Sequence, residues 1–248
     1  MPPRLNLFTN RERANSFGGA AHNYDIHRPR YPDQLIADVL APSAHRVLDV
    51  GAGTGIASMQ LIERGADLLA VEPDTRMASI AEAKGIPLEI ATFEQWEPAG
   101  RRFDRVVFAV SFHWIDPAVA LPKIRGILRD GGKMALIWNR LRPTRPTRSE
   151  FESIYMDYMD IDARGADGEP NDLTGLLNAA GLTVTQRRYP HDLHYSTQQW
   201  VDIAFTFSNH LTLTADKATE LRTRMAELIG PSGVSVGGDA MVIFATPS

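Results

Sequence analysis

Short apolar runs alternate with amphipathic stretches along the first half of the chain. The apolar runs predict strands over residues 46–50, 68–72, 88–91, 105–110 and 133–138. Asp74 is the predicted N-cap of a helix that ends before Gly85. Asp116 and Pro117 begin another helix, because proline at the first helical position loses no intrahelical hydrogen bond. This alternation predicts a parallel sheet covered by helices.

The pattern changes after the fifth predicted strand. Residues 140–148 contain four arginines and two prolines, which predicts an exposed connection. A solvated loop is the favoured interpretation of these arginines, an anionic substrate comes second, and nucleic acid is a distant third. Ser149 and Glu152 have the spacing of a capping box, followed by an amphipathic helix.

Further helices and two strands are predicted towards the C-terminus. Asp172 is the predicted cap of a short helix that stops at Gly181, and a strand follows over residues 183–189. Two more helices begin at Ser196 and Thr214, and the last strand covers residues 241–245. The aromatic residues of these helices either surround a bound apolar molecule or belong to the ordinary core; they are Phe151, Tyr155, Tyr158, Trp200, Phe205 and Phe207.

The most informative stretch is residues 47–55, Val-Leu-Asp-Val-Gly-Ala-Gly-Thr-Gly. An apolar strand ends there in a glycine-rich turn that opens a helix, and Glu72 closes the next strand. This arrangement is typical of a nucleotide-binding βαβ unit. Glycines let the backbone approach a ligand, and an acid at the second strand can hold ribose hydroxyls.

The details of this unit disfavour a dinucleotide. A dinucleotide motif needs glycine or alanine three positions after its second glycine, where this chain has Ile56 or Ser58. Asp49 would also face a pyrophosphate with like charge, whereas it suits a cationic group such as the amino group of a methionine. The whole unit resembles motif I of the class I S-adenosylmethionine-dependent methyltransferases.

This resemblance implies an α/β fold with a seven-stranded, mostly parallel Rossmann-like sheet, helices on both faces and an antiparallel final strand. Residues 46–248 then form a single domain with cap elements at about 140–180 and 196–230 that cover the active site. Residues 1–45 form an N-terminal lid and a lead-in helix. The implied cofactor is S-adenosyl-L-methionine.

The resemblance also assigns cofactor-binding positions. Thr92 stands where relatives carry an aspartate that contacts adenine, and Phe93 replaces a small residue. We therefore expect the backbone and ring of Phe93 to recognise adenine. Met77 is equally compatible with a core role. The implied cofactor-binding residues are Tyr24, Arg28, Asp49, Gly51, Ala52, Gly53, Glu72, Pro73, Met77, Thr92, Phe93, Val110 and Ser111.

The segment after the fourth strand is similar to the His-Trp segment of small-molecule methyltransferases such as trans-aconitate methyltransferase. The resemblance places His113 and Trp114 near the transferred methyl group, with His113 as a general base or as a packing residue. The segment lacks the proline-containing motif of enzymes that methylate nucleic-acid amines. The N-terminal stretch around Tyr24 and Arg28 matches the same subfamily. This match favours the interpretation of the stretch as a lid, and the alternative is a solvated helix.

Composition narrows the function further. The chain has 248 residues, 44% of them hydrophobic, and a net charge of −4, which provides no basic field for nucleic acid. It has no cysteine, which excludes disulfides and the thiolate needed for cytosine-C5 methylation. Without a signal peptide or a long apolar run, we expect a cytoplasmic monomer or homodimer with no membrane partner.

The predicted function is methyl transfer from S-adenosyl-L-methionine to a small-molecule acceptor, at a carboxylate or hydroxyl oxygen. A carboxylic acid is the leading acceptor and would need little or no base. The alternative is a cofactor-binding partner or regulatory subunit without turnover. No metal site is predicted.

Overall fold

The structure is a computed structural model that describes residues 8–41, 44–159 and 170–247. Seven strands form one sheet in the order β3-β2-β1-β4-β5-β7-β6. β7 runs antiparallel to β5 and β6, and the other neighbouring pairs are parallel. The strands are β1 (Arg46–Val50), β2 (Asp67–Val71), β3 (Leu88–Glu89), β4 (Phe103–Ala109), β5 (Leu128–Arg145), β6 (Leu182–Tyr195) and β7 (Val234–Pro247).

Helices cover both faces of this sheet, as predicted. They are α1 (Arg11–Asn15), α2 (Ala21–His27), α3 (Asp33–Leu40), α4 (Ile56–Glu63), α5 (Thr75–Ala83), α6 (Pro117–Ile127), α7 (Arg148–Tyr155), α8 (Pro170–Ala179), α9 (Thr197–Ala204), α10 (Ser208–Leu211) and α11 (Ala215–Ile229). Among the described residues, no helix is long and apolar enough to cross a membrane.

Alternation along the strands builds two cores. In β1, Leu48 packs into the core shared with α6 and α8, whereas Val47 packs into the core shared with α3, α4 and α5. Successive side chains of a strand point to opposite faces, so a sheet covered on both sides needs apolar residues at every position. This burial on both faces explains why the central strands appear in the sequence as short apolar runs.

A third core lies between the cap helices and the outer ends of β5, β6 and β7. Phe151 of α7, Trp200 of α9 and Leu221 of α11 pack there against Val236 of β7. The N-terminal end of α9 has the predicted capping box, in which Ser196 accepts a hydrogen bond from the Gln199 N–H. The cap helices therefore have an apolar core of their own.

The connection predicted for residues 140–148 is wrong as far as Arg145, although Arg142, Arg145 and Arg148 are exposed as predicted. β5 continues to Arg145 and pairs with β7, placing Arg140 opposite Asp239. Only 7% of Arg140 is exposed, and its guanidinium forms an ion pair with Asp239. A buried arginine is tolerated because a carboxylate on the neighbouring strand compensates its charge.

Two predicted helix caps are displaced. The capping box of α7 uses Thr147 and Glu150 instead of Ser149 and Glu152. Thr147, two residues after the end of β5, has the extended backbone that an N-cap requires. Asp172 lies inside α8, which already begins at Pro170, a residue suited to the first helical turn.

The C-terminal strands are longer than predicted. β6 extends to Tyr195 and β7 begins at Val234, so the two strands pair along their whole length. The outer halves of these strands contain polar and glycine residues, so an apolar run does not predict them. Hydrogen bonds between the two strands hold these halves in the sheet.

Phe108 in β4 allows a test of the core behind the carboxyl edge of the sheet. Its side chain is 1% exposed and lies edge-on to Phe93 at 5.9 Å and to Phe112 at 5.2 Å. We expect Phe108→Ala to lower the free energy of unfolding by ~3–5 kcal/mol, because it leaves a cavity. Val119→Ala, at a position 43% exposed, should change it by less than ~0.5 kcal/mol. Urea unfolding measures both, and equal midpoints would contradict this assignment.

Candidate active site

The glycine loop follows β1 at the carboxyl edge of the sheet. Gly51, Gly53 and Gly55 have φ angles of 67°, 60° and 83°, which disfavour residues with side chains. A Cβ on Gly51 would lie 2.6 Å from the Cβ of Ser111, in the segment that follows β4. The loop therefore packs closely against its neighbour and presents backbone rather than side chains.

Glu72 lies at the end of β2 and connects this loop to the next one. One carboxylate oxygen accepts a hydrogen bond from the Gly53 N–H at 2.8 Å, and the other accepts one from the Asp74 N–H at 2.9 Å. Burial raises the pKa of Glu72 to about 7, although both backbone hydrogen bonds oppose the shift. Each oxygen keeps lone-pair capacity for a hydroxyl donor.

Asp49 lies beneath the glycine loop and is fully buried. Its Oδ2 accepts a hydrogen bond from the Ser58 hydroxyl at 2.6 Å, while Oδ1 has no hydrogen-bond partner among the described residues. Burial raises the pKa of Asp49 to about 6, and the Ser58 hydrogen bond partly offsets the shift. A buried carboxylate oxygen of this kind favours a nearby cation or donor.

A cleft of about 390 Å³ opens above these loops. It brings together most of the predicted site residues, namely Tyr24, Gly51, Gly53, Glu72, Pro73, Met77, Thr92, Phe93, Val110, Ser111 and Trp114. A smaller adjoining cleft adds Arg28 and Ala52. Asp49 and His113 line neither cleft.

Val110 has a backbone conformation that the sequence does not reveal. Its φ of 58° is strained for a β-branched residue. This conformation changes the direction of the chain where β4 ends. The Val110 N–H donates to the Ile137 carbonyl of β5 at 3.1 Å. The next residue, Ser111, donates its hydroxyl to the Val50 carbonyl, which fixes this segment to the end of β1.

Phe93 and Thr92 contribute differently to the cleft. The Phe93 ring is 2% exposed and stacks on Trp96 at 6.1 Å, so most of the ring belongs to the core. The Thr92 hydroxyl accepts a hydrogen bond from the Gln95 N–H at 3.4 Å. The backbone of this turn and an edge of the Phe93 ring therefore form the wall.

The N-terminal segment packs over the cleft. Ala14, Asn15 and Phe17 line it, although sequence motifs gave no reason to select the first two. The Phe17 ring lies edge-on to the rings of Tyr24 and Trp114, each at 5.9 Å. Phe17 therefore joins the N-terminal segment to the turn that follows β4.

Side-chain contacts fix this segment to α5. Arg76 pairs with Asp74 at 2.7 Å and donates to the Asn15 carbonyl at 3.0 Å. A Cβ on Gly18 would lie 2.2 Å from both Arg76 and Asp74, so glycine permits this close approach. Lys84 pairs with Asp25 and donates to the Thr54 carbonyl in the glycine loop at 2.8 Å.

Arg28 lies between two aromatic rings. Its guanidinium carbon is 4.9 Å from the centroid of Tyr24 and 4.0 Å from that of Phe207. Nη2 donates to the Thr206 carbonyl at 3.1 Å, and the buried Nε has no acceptor among the described residues. Arg28 therefore has a donor left for an anionic ligand group.

His113 lies in a short 3-10 turn, Phe112–Trp114, after β4. Its half-buried ring is 4.7 Å from that of Trp114. Burial and, secondarily, the positive charge of Arg13 lower the pKa of His113 to about 4. The imidazole is therefore neutral at pH 7 and is a weak base.

The arrangement fits a ligand that combines a nucleoside with an amino acid. Glu72 offers acceptors for ribose hydroxyls, the buried Asp49 offers negative charge beneath the glycine loop, and Arg28 offers a donor for a carboxylate. S-adenosyl-L-methionine has all three of these groups.

Comparisons with known proteins agree with this geometry. Residues 47–132 match the family described as methyltransferase domain. Uncharacterized methyltransferases of Mycobacterium tuberculosis and Mycobacterium bovis are 32% identical over 222 residues, covering 88% of this chain and 87% of theirs.

Solved structures share the fold at lower identity. The YcgJ protein of Bacillus subtilis is 13% identical with a TM-score of 0.55, covering 87% of this chain and 97% of its own. Phosphoethanolamine N-methyltransferase 2 of Haemonchus contortus, solved with S-adenosylhomocysteine, is 15% identical with a TM-score of 0.53, covering 98% of this chain and 60% of its own. With the relatives of 32% identity, these findings show that the chain belongs to the class I S-adenosylmethionine-dependent methyltransferases.

Proposed function

We propose that the chain methylates an oxygen of a small-molecule acceptor, and that this oxygen belongs to a carboxylate. The observation that carries the proposal is the setting of His113, whose ring packs 4.7 Å from that of Trp114 and lines neither cleft. Burial lowers the pKa of His113 to about 4. A base this weak removes a hydroxyl proton poorly, whereas a carboxylate is already ionised at pH 7. The resemblance to the trans-aconitate methyltransferase branch supports the same acceptor.

In this proposal, different residues of the cleft bind the ribose, the adenine and the methionine part of the cofactor. Glu72 would hold the ribose, with Pro73 and Met77 beside it, and the Thr92–Phe93 turn would hold adenine. The methionine part would lie over Gly51, Ala52 and Gly53, beside Val110 and Ser111. Its amino group would face the charge of Asp49, and its carboxylate would pair with Arg28 near Tyr24.

S-adenosyl-L-methionine supplies an electrophilic methyl group when it is bound. The chain must then orient the acceptor oxygen towards that group and keep water out. In this proposal His113 and Trp114 lie on the acceptor side. Trp114 lines the cofactor cleft, and His113, packed against it, positions the acceptor without removing a proton. The net charge of −4 gives no support to a nucleic-acid acceptor.

We further propose that the segment before Arg46 is a lid. Two sets of contacts support this proposal. Gly18 and Asn15 contact the Asp74–Arg76 pair, and Asp25 pairs with Lys84, which also binds the glycine loop. Residues that rest on the cofactor loops would order when the cofactor binds. The helices α7, α9, α10 and α11 would form the cap that selects the acceptor.

Cofactor binding should depend on the protonation of Glu72. Its raised pKa leaves the carboxyl largely neutral at pH 6 and ionised at pH 8, and the ionised form is the better acceptor for ribose hydroxyls. We expect the affinity for S-adenosylhomocysteine to rise about tenfold from pH 6 to pH 8 in calorimetric titrations. Glu72→Gln should bind ~10–100-fold more weakly at pH 8 and lose this slope.

Glu89→Gln is the matched control, because Glu89 also ends a strand but pairs with Arg101 outside the cleft. This variant should keep the slope of the wild type. A wild-type affinity that stays constant between pH 6 and pH 8 would contradict the role given to Glu72.

The lid proposal predicts different behaviour for two adjacent glycines. Gly18→Ala should displace Arg76 from Asp74, whereas a Cβ at Gly19 meets no atom within 4 Å among the described residues. In limited proteolysis, saturating S-adenosylhomocysteine should slow cleavage before residue 28 several-fold in the wild type and in Gly19→Ala. Gly18→Ala should lose most of this protection, and equal protection in all three proteins would refute the lid.

Methyl transfer to carboxylic acids and phenols tests the proposed function. With labelled S-adenosyl-L-methionine at saturating concentration at every pH, we expect an alkali-labile methyl ester from a carboxylic acid and a wild-type rate independent of pH between 6 and 8. His113→Gln should raise the acceptor KM and lower kcat less than tenfold, and His45→Gln, at an exposed site, should change neither. A fall in kcat of ~10²–10⁴-fold with an alkali-stable ether product would instead assign His113 as the base for a hydroxyl.

A further inference from the structure

A second cavity, of about 160 Å³, lies among the end of β5, α7, α9 and α10. We call it the arginine pocket and define it by Arg13, Arg140, Arg142, Arg148, Trp200 and Phe207, which line it. It is separate from the cofactor cleft and shares no lining residue with it.

The charge of the arginine pocket is positive although the whole chain is negative. Four arginines line it, and no aspartate or glutamate does so among the described residues. Two nearby carboxylates offset only part of this charge. Glu152 pairs with Arg148 at 2.7 Å, and Asp239, which compensates Arg140, is also shared by Arg142 at 4.0 Å and by Arg188 at 2.6 Å. Arginines grouped around one cavity favour an anion with two or more oxygens.

Aromatic residues also line the arginine pocket. Phe151 is 2% exposed and its ring lies 5.9 Å from that of Trp200 and 6.1 Å from that of Tyr155. The buried indole N–H of Trp200 has no acceptor within the described part of the chain. Such a lining suits an apolar, ring-sized group that carries a hydrogen-bond acceptor.

Residues of the N-terminal segment connect this pocket to the cofactor cleft. Arg13 lines the pocket and donates to the Ser208 hydroxyl at 2.8 Å, while the next two residues, Ala14 and Asn15, line the cofactor cleft. Arg13 is also close enough to His113 for its charge to act on the imidazole. A molecule in the pocket would therefore lie beside the residues assigned to the acceptor.

We propose that the arginine pocket binds the methyl acceptor, and that this acceptor is an organic anion with an apolar, ring-sized body. A second anionic group of the acceptor, a carboxylate or phosphate other than the carboxylate that receives the methyl group, would contact the arginines, and the acceptor's body would lie against Trp200 and Phe151. This inference rests on the proposed function and adds to it where the acceptor binds and which groups the acceptor carries.

Binding of simple probes to the full chain tests the inference directly. The probes are 3-phenylpropanoate, phenyl phosphate, the neutral 3-phenylpropanamide, and acetate, each added to protein saturated with S-adenosylhomocysteine. The chain has four tryptophans, so four indole N–H signals report by NMR, and Trp200→Phe identifies one of them. We expect both ring-bearing anions to shift the Trp200 signal and to bind at least tenfold more tightly than the amide and acetate. The tighter of the two anions distinguishes carboxylate from phosphate.

Two arginines at Asp239 provide a matched pair of variants. Arg142 and Arg188 are about equally exposed and both pair with Asp239, but only Arg142 lines the pocket. We expect Arg142→Gln to weaken binding of the ring-bearing anions at least fivefold and Arg188→Gln to leave it unchanged. Arg148→Gln should behave like Arg142→Gln.

The inference is overturned if the amide binds as well as the anions, if the Trp200 signal does not move, or if the pocket variants bind like Arg188→Gln. In each case, intact binding of S-adenosylhomocysteine would leave the proposed methyl transfer standing. A wild-type protein that fails to bind S-adenosylhomocysteine would instead remove the proposed function itself.

Discussion

Two loops of the cofactor cleft are held together by one buried carboxylate. Glu72 accepts the Gly53 N–H at 2.8 Å on one oxygen and the Asp74 N–H at 2.9 Å on the other, so the glycine loop and the start of α5 keep a fixed separation. Asp74 in turn pairs with Arg76, on which Gly18 rests. The position of the N-terminal segment therefore depends on Glu72 through these contacts. Burial of Glu72 and two backbone hydrogen bonds act on its pKa in opposite directions.

Charge is distributed unevenly between the two cavities. The carboxylates of Asp49 and Glu72 lie at or beneath the cofactor cleft, whereas arginines line the pocket among the cap helices. This pattern complements a sulfonium cofactor on one side and an anionic acceptor on the other. Arg28 contacts Tyr24, which lines the cofactor cleft, and Phe207, which lines the arginine pocket. Ligand binding in one cavity would therefore affect the shape of the other through the N-terminal segment.

Local pattern was enough to predict the parts of the fold that depend on neighbouring residues. The glycine loop and the Asp74 cap were recognisable because their hydrogen bonds and backbone angles involve residues close in sequence. Glu72 was recognisable from its place after the second apolar run, although its bond to the Gly53 N–H spans 19 residues. Arg140 was misassigned to a loop because its partner, Asp239, is 99 residues away and no local pattern reveals it. The strained φ of Val110 also escaped prediction, since it is imposed by the approach of neighbouring strands.

A crystal structure of the chain with S-adenosylhomocysteine would test the role of Glu72. We expect a ribose hydroxyl within hydrogen-bond distance of a Glu72 oxygen while the Gly53 and Asp74 N–H groups keep their contacts. We also expect Arg28 to donate to the amino-acid carboxylate. A ribose bound away from Glu72, or loops that separate when the ligand binds, would contradict the role of this carboxylate as the common support of the site.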